Sequence, residues 1–202
     1  MIGTKVLEER NSKFNGDLKV VRSFGFGTYI QAGGLTQSGG IVESIWKSTL
    51  KKIKSKEIEK VLILGLGGGT VAKLTRKYWP EAKIAGVDID PMMVELGKKY
   101  LNLGGINVDI KIQDAAKSIS DKFDLVIVDL YCGDKYPEKF AAENYIHLVR
   151  WHLAKGGIAV FNRLYFGDKR PEAVKFGLKL QKIFKNVEYY YPEANLMIFC
   201  YN

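Results

Sequence analysis

The chain has 202 residues, 47% of them hydrophobic and 26% charged, which is enough apolar material for the core of one α/β domain. No apolar run approaches the roughly 20 residues of a membrane span, and the opening MIGTKVLEERNSKF lacks the apolar stretch of a signal peptide, so the expectation is a cytoplasmic protein with no membrane partner. Two cysteines and two histidines without a C-x-x-C pair argue against a disulfide scaffold and predict no metal, while a net charge of +9 favours anionic partners, nucleic acid among them.

Residues 19–21 and 28–30 read as the strands of a small hairpin, and Gly33-Gly34 and Gly39-Gly40 bracket a loop that carries Gln37 and Ser38. Residues 43–53 read as a helix whose buried stripe is Ile45, Trp46, Leu50 and Ile53, with the basic segment 47–60 as its solvated side. Residues 61–64 are too few for a helix and read as a buried strand. A short helix over 70–78 is stopped by Pro80, and residues 83–87 form the next strand, with Asp88 at its carboxyl end. Pro91 suits the first turn of a helix that runs to Tyr100. Strands follow at 108–112, 123–129 and 158–161, with a long helix predicted over 138–153 and a turn at Lys155-Gly156-Gly157. A helix over 171–184 leads to a closing strand pair, 187–191 and 196–201, joined by the short turn 192–195. Alternating strands and helices predict a parallel sheet, and the short final turn predicts an antiparallel closing pair.

Gly65, Gly67 and Gly69 form a G-x-G-x-G turn between a strand and a helix. A dinucleotide site wants a sixth-position glycine where Thr70 stands, and a phosphate loop wants Gly-Lys-Ser/Thr, which is absent. The pattern therefore favours an adenosyl ligand without phosphate, of which S-adenosylmethionine is the common one. Asp88, at the end of the second strand, is placed to accept hydrogen bonds from ribose hydroxyls.

This series resembles the class I S-adenosylmethionine-dependent methyltransferases. The resemblance implies an α/β Rossmann-like fold with a mostly parallel seven-stranded sheet, an antiparallel C-terminal hairpin and, here, a small N-terminal β-hairpin region. It places the cofactor on Gly65, Gly67, Gly69, Asp88 and Asp114, with Asp129 ending the VIVD strand. A closer resemblance is to the spermidine synthase branch of that fold. It is carried by Ser12-Lys13-Phe14, by Gly34-Leu35-Thr36-Gln37, which adds Gln37 to the cofactor residues, by Val87-Asp88-Ile89-Asp90-Pro91, by PEKFAAENY from Pro137, and by Gly156-Gly157-Ile158. It implies a division into residues 1–42, a small β-region, and 43–202, the cofactor-binding domain.

Departures from that branch fall at the chemistry. Gly68 stands where the synthases keep an aspartate that helps hold the aminopropyl end. Trp46 and Lys47 stand where they keep a Tyr-His pair, and Leu130-Tyr131-Cys132-Gly133-Asp134 replaces the rest of their acidic segment after Asp129. A pocket for a diamine needs carboxylates to offset burial of its charge. These departures therefore favour a methyltransferase with an unassigned acceptor over an aminopropyltransferase using decarboxylated S-adenosylmethionine; a non-catalytic adenosyl-binding module is the third reading. Asp129 is the candidate base, and it serves equally as a cofactor-holding group. Trp46 and Tyr131 are assigned to the acceptor pocket. Expected partners are a small-molecule acceptor, a second copy of the chain as a homodimer and, on charge, nucleic acid.

Overall fold

The apolar runs 61–64 and 123–128 lie side by side at the centre of a seven-stranded sheet. In a computed structural model, which describes residues 3–202, the chain begins with four strands: β1 (Lys5–Ser12), β2 (Gly16–Ser23), β3 (Gly27–Ala32) and β4 (Leu35–Gly39). They form an antiparallel meander in the order β1-β2-β3-β4. The hairpin expectation thus covers only its two inner strands, and the loop expected around Gln37 and Ser38 is strand β4. Charged, half-exposed β1 carries no apolar alternation that marks it in the sequence.

Helix α1 (Gly40–Lys51) follows directly, then β5 (Lys60–Leu64), α2 (Thr70–Tyr78), β6 (Lys83–Asp88), α3 (Pro91–Tyr100), β7 (Asp109–Ile112), β8 (Phe123–Val128), α4 (Glu143–His152), β9 (Leu153–Leu164), α5 (Lys169–Ile183), β10 (Asn186–Tyr190) and β11 (Asn195–Tyr201). The large sheet has the order β10-β11-β9-β8-β5-β6-β7. The strands β5 to β9 are parallel, and β11 and β10 pair antiparallel at one edge, as the short closing turn requires. Along β5, Val61 and Ile63 face one core with Trp46, Leu50 and Leu74, whereas Leu62 and Leu64 face the other with Ile146, Phe161 and Phe176. Burial on both faces is why this strand has no polar alternation.

Two further expectations need correction. The helix predicted over 138–153 is broken at Ala142, whose extended backbone (φ −77°, ψ 149°) separates a 3-10 turn, Glu138–Ala141, from α4. The break folds Phe140 back onto Tyr145, with ring centroids 4.8 Å apart. The turn expected at Lys155-Gly156-Gly157 is instead an irregular stretch inside β9, where the register slips between the pairs Phe123↔Leu153 and Leu125↔Ile158. Among the described residues no helix is long and apolar enough to cross a membrane.

The small sheet docks on α3 through a third apolar cluster, in which Leu18, Val20, Ile30 and Ala32 meet Met93 and Leu96. Glu8 on β1 adds a polar clasp: it accepts from Lys99 Nζ at 2.7 Å, Tyr100 OH at 2.6 Å and Arg10 Nε at 2.6 Å. Those donors, led by Lys99, lower its pKa from 4.5 to about 2. A carboxyl with a depressed folded-state pKa contributes stability above its unfolded pKa and loses it as pH falls through the folded one. Acidification from pH 5 to 2 is therefore expected to loosen β1 from α3. Amide exchange in β1, corrected for intrinsic rates, should rise in that window, and in Glu8→Gln the step should vanish. A flat profile in the parent protein would show that Glu8 does not hold the sheet.

Candidate active site

The chain leaves β5 toward β6 and β7 but leaves β8 toward β9, so the strand order reverses between two neighbours. Open α/β sheets bind ligands at the carboxyl ends of strands at such a point. Here a cavity of about 560 Å³ opens there, walled by the glycine turn, the loop after β8, α1, strand β4 and the β10–β11 turn.

The glycine turn is built by close approach. Gly65 has φ +91°, and a Cβ on it would lie 2.0 Å from the Asp129 carbonyl oxygen, so only glycine lets the ends of β5 and β8 meet. Gly65 and Gly67 line the cavity. Gly69 does not: it caps α2 from behind, with φ +90° and Leu103 packed where a side chain would start. Two loop amides already have protein partners. Gly67 N–H donates to Asp88 Oδ2 at 2.7 Å, and Gly68 N–H donates to Ser38 Oγ at 2.7 Å. Asp88 also accepts from the Asp90 amide at 2.9 Å through its other oxygen. Desolvation dominates these hydrogen bonds and pushes the Asp88 carboxyl above the usual carboxylate range.

Across the cavity, Asp114 accepts from the Ala116 amide at 2.8 Å and from Lys139 Nζ. Burial raises its pKa, but the Lys139 contact and the amide outweigh burial, so the carboxyl sits below its ordinary range. Gln37 reaches over from β4 and donates to Gly133 O at 3.1 Å, which ties the small sheet to the loop after β8.

Asp129 lies at the floor. Trp46 Nε1 donates to its Oδ2 and Asn162 Nδ2 to its Oδ1, each at 2.8 Å. Burial pushes the carboxyl up, and the two donors pull it back in part. Tyr131 lines the same wall, where its hydroxyl accepts from the Leu164 amide at 2.7 Å. Thus Gln37, Trp46, Gly65, Gly67, Asp88, Asp114, Asp129 and Tyr131 converge on one cavity. Lys47, placed by sequence among the acceptor-side changes, is exposed and outside the cavity lining. Asp134 points outward, with Lys169 Nζ 3.2 Å away.

A family model described as the spermine/spermidine synthase domain matches residues 43–195. The chain belongs to that family. It is 31% identical over 110 residues to a probable polyamine aminopropyl transferase of Bifidobacterium longum, a match that covers 53% of this chain and 24% of that protein. It is 26% identical over 211 residues to a spermine synthase of Saccharomyces cerevisiae, covering 92% of this chain and 68% of the yeast protein. The fold superposes on a spermidine synthase from Thermotoga maritima with a TM-score of 0.80 at 18% identity, over 98% of this chain and 72% of the other. That likeness shows the Rossmann-like architecture with its extra N-terminal sheet.

Sequence reading missed Ser38, Lys139, Asn162 and Asn195. Asn162 had a signal, a polar residue interrupting the apolar IAVF run just before the strand ends. Lys139 and Ser38 had none, because their roles depend on long-range approach. Asp88→Ala leaves the Gly67 and Asp90 amides unpartnered. Its expected cost is about 1.5–3 kcal/mol of folding stability, since hydrogen bonds to a charged group are lost. Denaturant titration checks this, with Asp88→Asn expected to lose less because it keeps one acceptor oxygen.

Proposed function

We propose that this chain transfers an aminopropyl group from decarboxylated S-adenosylmethionine to an amine. The observation that carries the reading is the charge in the cavity. In a chain of net charge +9, the lining holds Asp88, Asp114, Asp129 and Glu193 against a single lysine, Lys139, which is already paired with Asp114. Such a cavity suits cationic ligands. A sulfonium donor without a carboxylate and an amine acceptor are both cations. S-adenosylmethionine itself would bring a carboxylate, and the one cationic side chain of the lining is engaged elsewhere. The Bifidobacterium and yeast relatives, a probable polyamine aminopropyl transferase and a spermine synthase, support the same reading.

The preference for methyl transfer over aminopropyl transfer rests in part on Lys47 entering the acceptor pocket. The structure corrects that placement, because α1 turns Lys47 to solvent while Trp46 faces inward. Trp46 in turn supplies Asp129 with a neutral donor and leaves its charge in the cavity.

In the proposed reaction Asp88 holds the ribose hydroxyls, and Gly65 and Gly67 admit the ligand against backbone, where a side chain would collide. Asp114 takes the adenine amino group. Asp129 faces the acceptor amine, orients an N–H and takes its proton; a carboxyl raised by burial is a better base for this step. The amine lone pair forms the new C–N bond as the C–S bond breaks. The electron pair goes to sulfur, leaving methylthioadenosine as a neutral thioether. Holding the two reactants in line supplies about 7–11 kcal/mol of the barrier reduction.

Methyl transfer is the second reading, and Gly68 favours it. A Cβ there would lie 2.8–2.9 Å from Leu101, Ile30 and Ser38, so the position the synthases give to an acid is filled by neighbouring side chains.

The deciding assay offers each sulfonium with a panel of diamines and polyamines. Methylthioadenosine release is expected with decarboxylated S-adenosylmethionine, which should bind at least about tenfold tighter than S-adenosylmethionine, a difference of about 1.4 kcal/mol. Asp88→Ala should weaken donor binding by roughly tenfold to a hundredfold in calorimetry. S-adenosylhomocysteine formation from S-adenosylmethionine, with no methylthioadenosine from the decarboxylated donor, would replace this reading with methyl transfer.

A further inference from the structure

The donors around Asp129 continue outward. Asn162 Oδ1 accepts from Asn195 Nδ2 at 2.8 Å, and both asparagines are buried, 7% and 6% exposed. Asn195 opens β11 at the turn after β10, where its backbone N–H closes the turn on Pro192 O at 3.0 Å. The side chain at the start of one strand is thereby wired to the carboxylate at the end of another, far earlier in the chain.

This chain of bonds has one direction. The Trp46 indole can only donate, so Asp129 Oδ2 must accept. An asparagine amide can present either its nitrogen or its oxygen. Turned the wrong way, Asn162 would set an acceptor against the Asp129 carboxylate. The Asn195 amide nitrogen meets the Asn162 oxygen and holds it away, which leaves only Nδ2 to face Asp129. We propose that Asn195 is a positioning residue: it keeps Asn162 in its donor orientation and so keeps Asp129 ionised and aimed at the acceptor amine.

The inference rests on the reading of Asp129 as the group that faces the acceptor. The elements packed around Asp129 bring few competing charges. Helix α1 and β9 present neutral Trp46 and Asn162, while β9 carries Arg163 beneath Tyr136. The loop after β8 presents Tyr131, the end of β6 presents Asp88, and the β10–β11 turn presents Glu193. Among the described residues no cation is paired with Asp129, so its two neutral donors are the main support for the carboxylate.

The test is the ionisation of the Asp129 carboxyl, followed by carbon NMR in the full chain, which needs no substrate. Losing a donor to a carboxylate raises its pKa. Asn195→Leu should therefore raise the Asp129 pKa by about one unit, equivalent to about 1.4 kcal/mol. The acid limb of kcat/KM should move up by the same amount, with donor affinity within twofold of the parent. In an Asn162→Leu background the further effect of Asn195→Leu should vanish, because the two residues act in series. If Asn195→Leu does not fold, Asn195→Ala carries the same expectation. An unchanged Asp129 pKa, or a shift that persists in full without Asn162, overturns the proposal. If the parent protein releases no methylthioadenosine with any amine, the aminopropyl reading fails, and the NMR titration still decides the role of Asn195.

Discussion

The corner Val87-Asp88-Ile89-Asp90-Pro91 is the joint on which the site depends. Asp88 turns back to hold the glycine loop, while Asp90 turns down and is 1% exposed. Three neutral donors satisfy Asp90: Ser12 Oγ at 2.6 Å, Asn15 Nδ2 at 2.7 Å and the Met92 amide at 3.0 Å. A buried carboxylate without such partners would be costly, so each of the three segments is obliged to come to it. One of them starts α3, one ends β1, and one follows β1 in the turn before β2. The small sheet is thus fixed to the cofactor end of the large one by hydrogen bonds to a buried carboxyl as well as by apolar packing.

The same logic of neutral donors recurs at Asp129. A basic protein has many lysines with which to pair a buried carboxylate, yet the crevice floor uses an indole and an amide. A salt bridge would pair Asp129 with a cation, whereas these neutral donors hold the carboxyl in place without one. Lys139 at Asp114 shows the contrast, since that carboxylate has a lysine beside it.

Much of this was legible in residues 60–91, where short apolar runs, glycines and Asp88 lie close together and each local signal agrees with the final topology. The large sheet, its order of elements and its antiparallel edge follow from such local patterns. Less legible were features made by distant approach. Nothing near Ser38 shows that its hydroxyl supports Gly68, because 30 residues separate them. Nothing near Leu103 shows why position 69 must be glycine; its neighbours suggest a ligand, and the reason is packing. Strand β1 was missed because its pattern of exposure lacks a regular inward face, its attachment being carried by Glu8 and by Ser12 at its end.

The loop after β8 departs from the family motif and divides its two acids between the cavity and the surface. Its first acid, Asp129, remains on the crevice floor, while Asp134 is drawn out to Lys169. The intervening residues are fixed from several sides. Gln37 holds Gly133, the Leu164 amide holds Tyr131, and Cys132 and Lys135 pair through their backbones. Tyr136 lies over the Arg163 guanidinium, 3.8 Å from carbon to ring centroid, a desolvated cation–π contact worth about 2 kcal/mol. Arg163 carries its charge on the far face of β9, away from the cavity lining, so the loop gains an anchor without adding a cation to the cavity. The segment differs in sequence from a synthase loop but keeps one carboxyl on the crevice floor, held by two neutral donors and, among the described residues, paired with no cation.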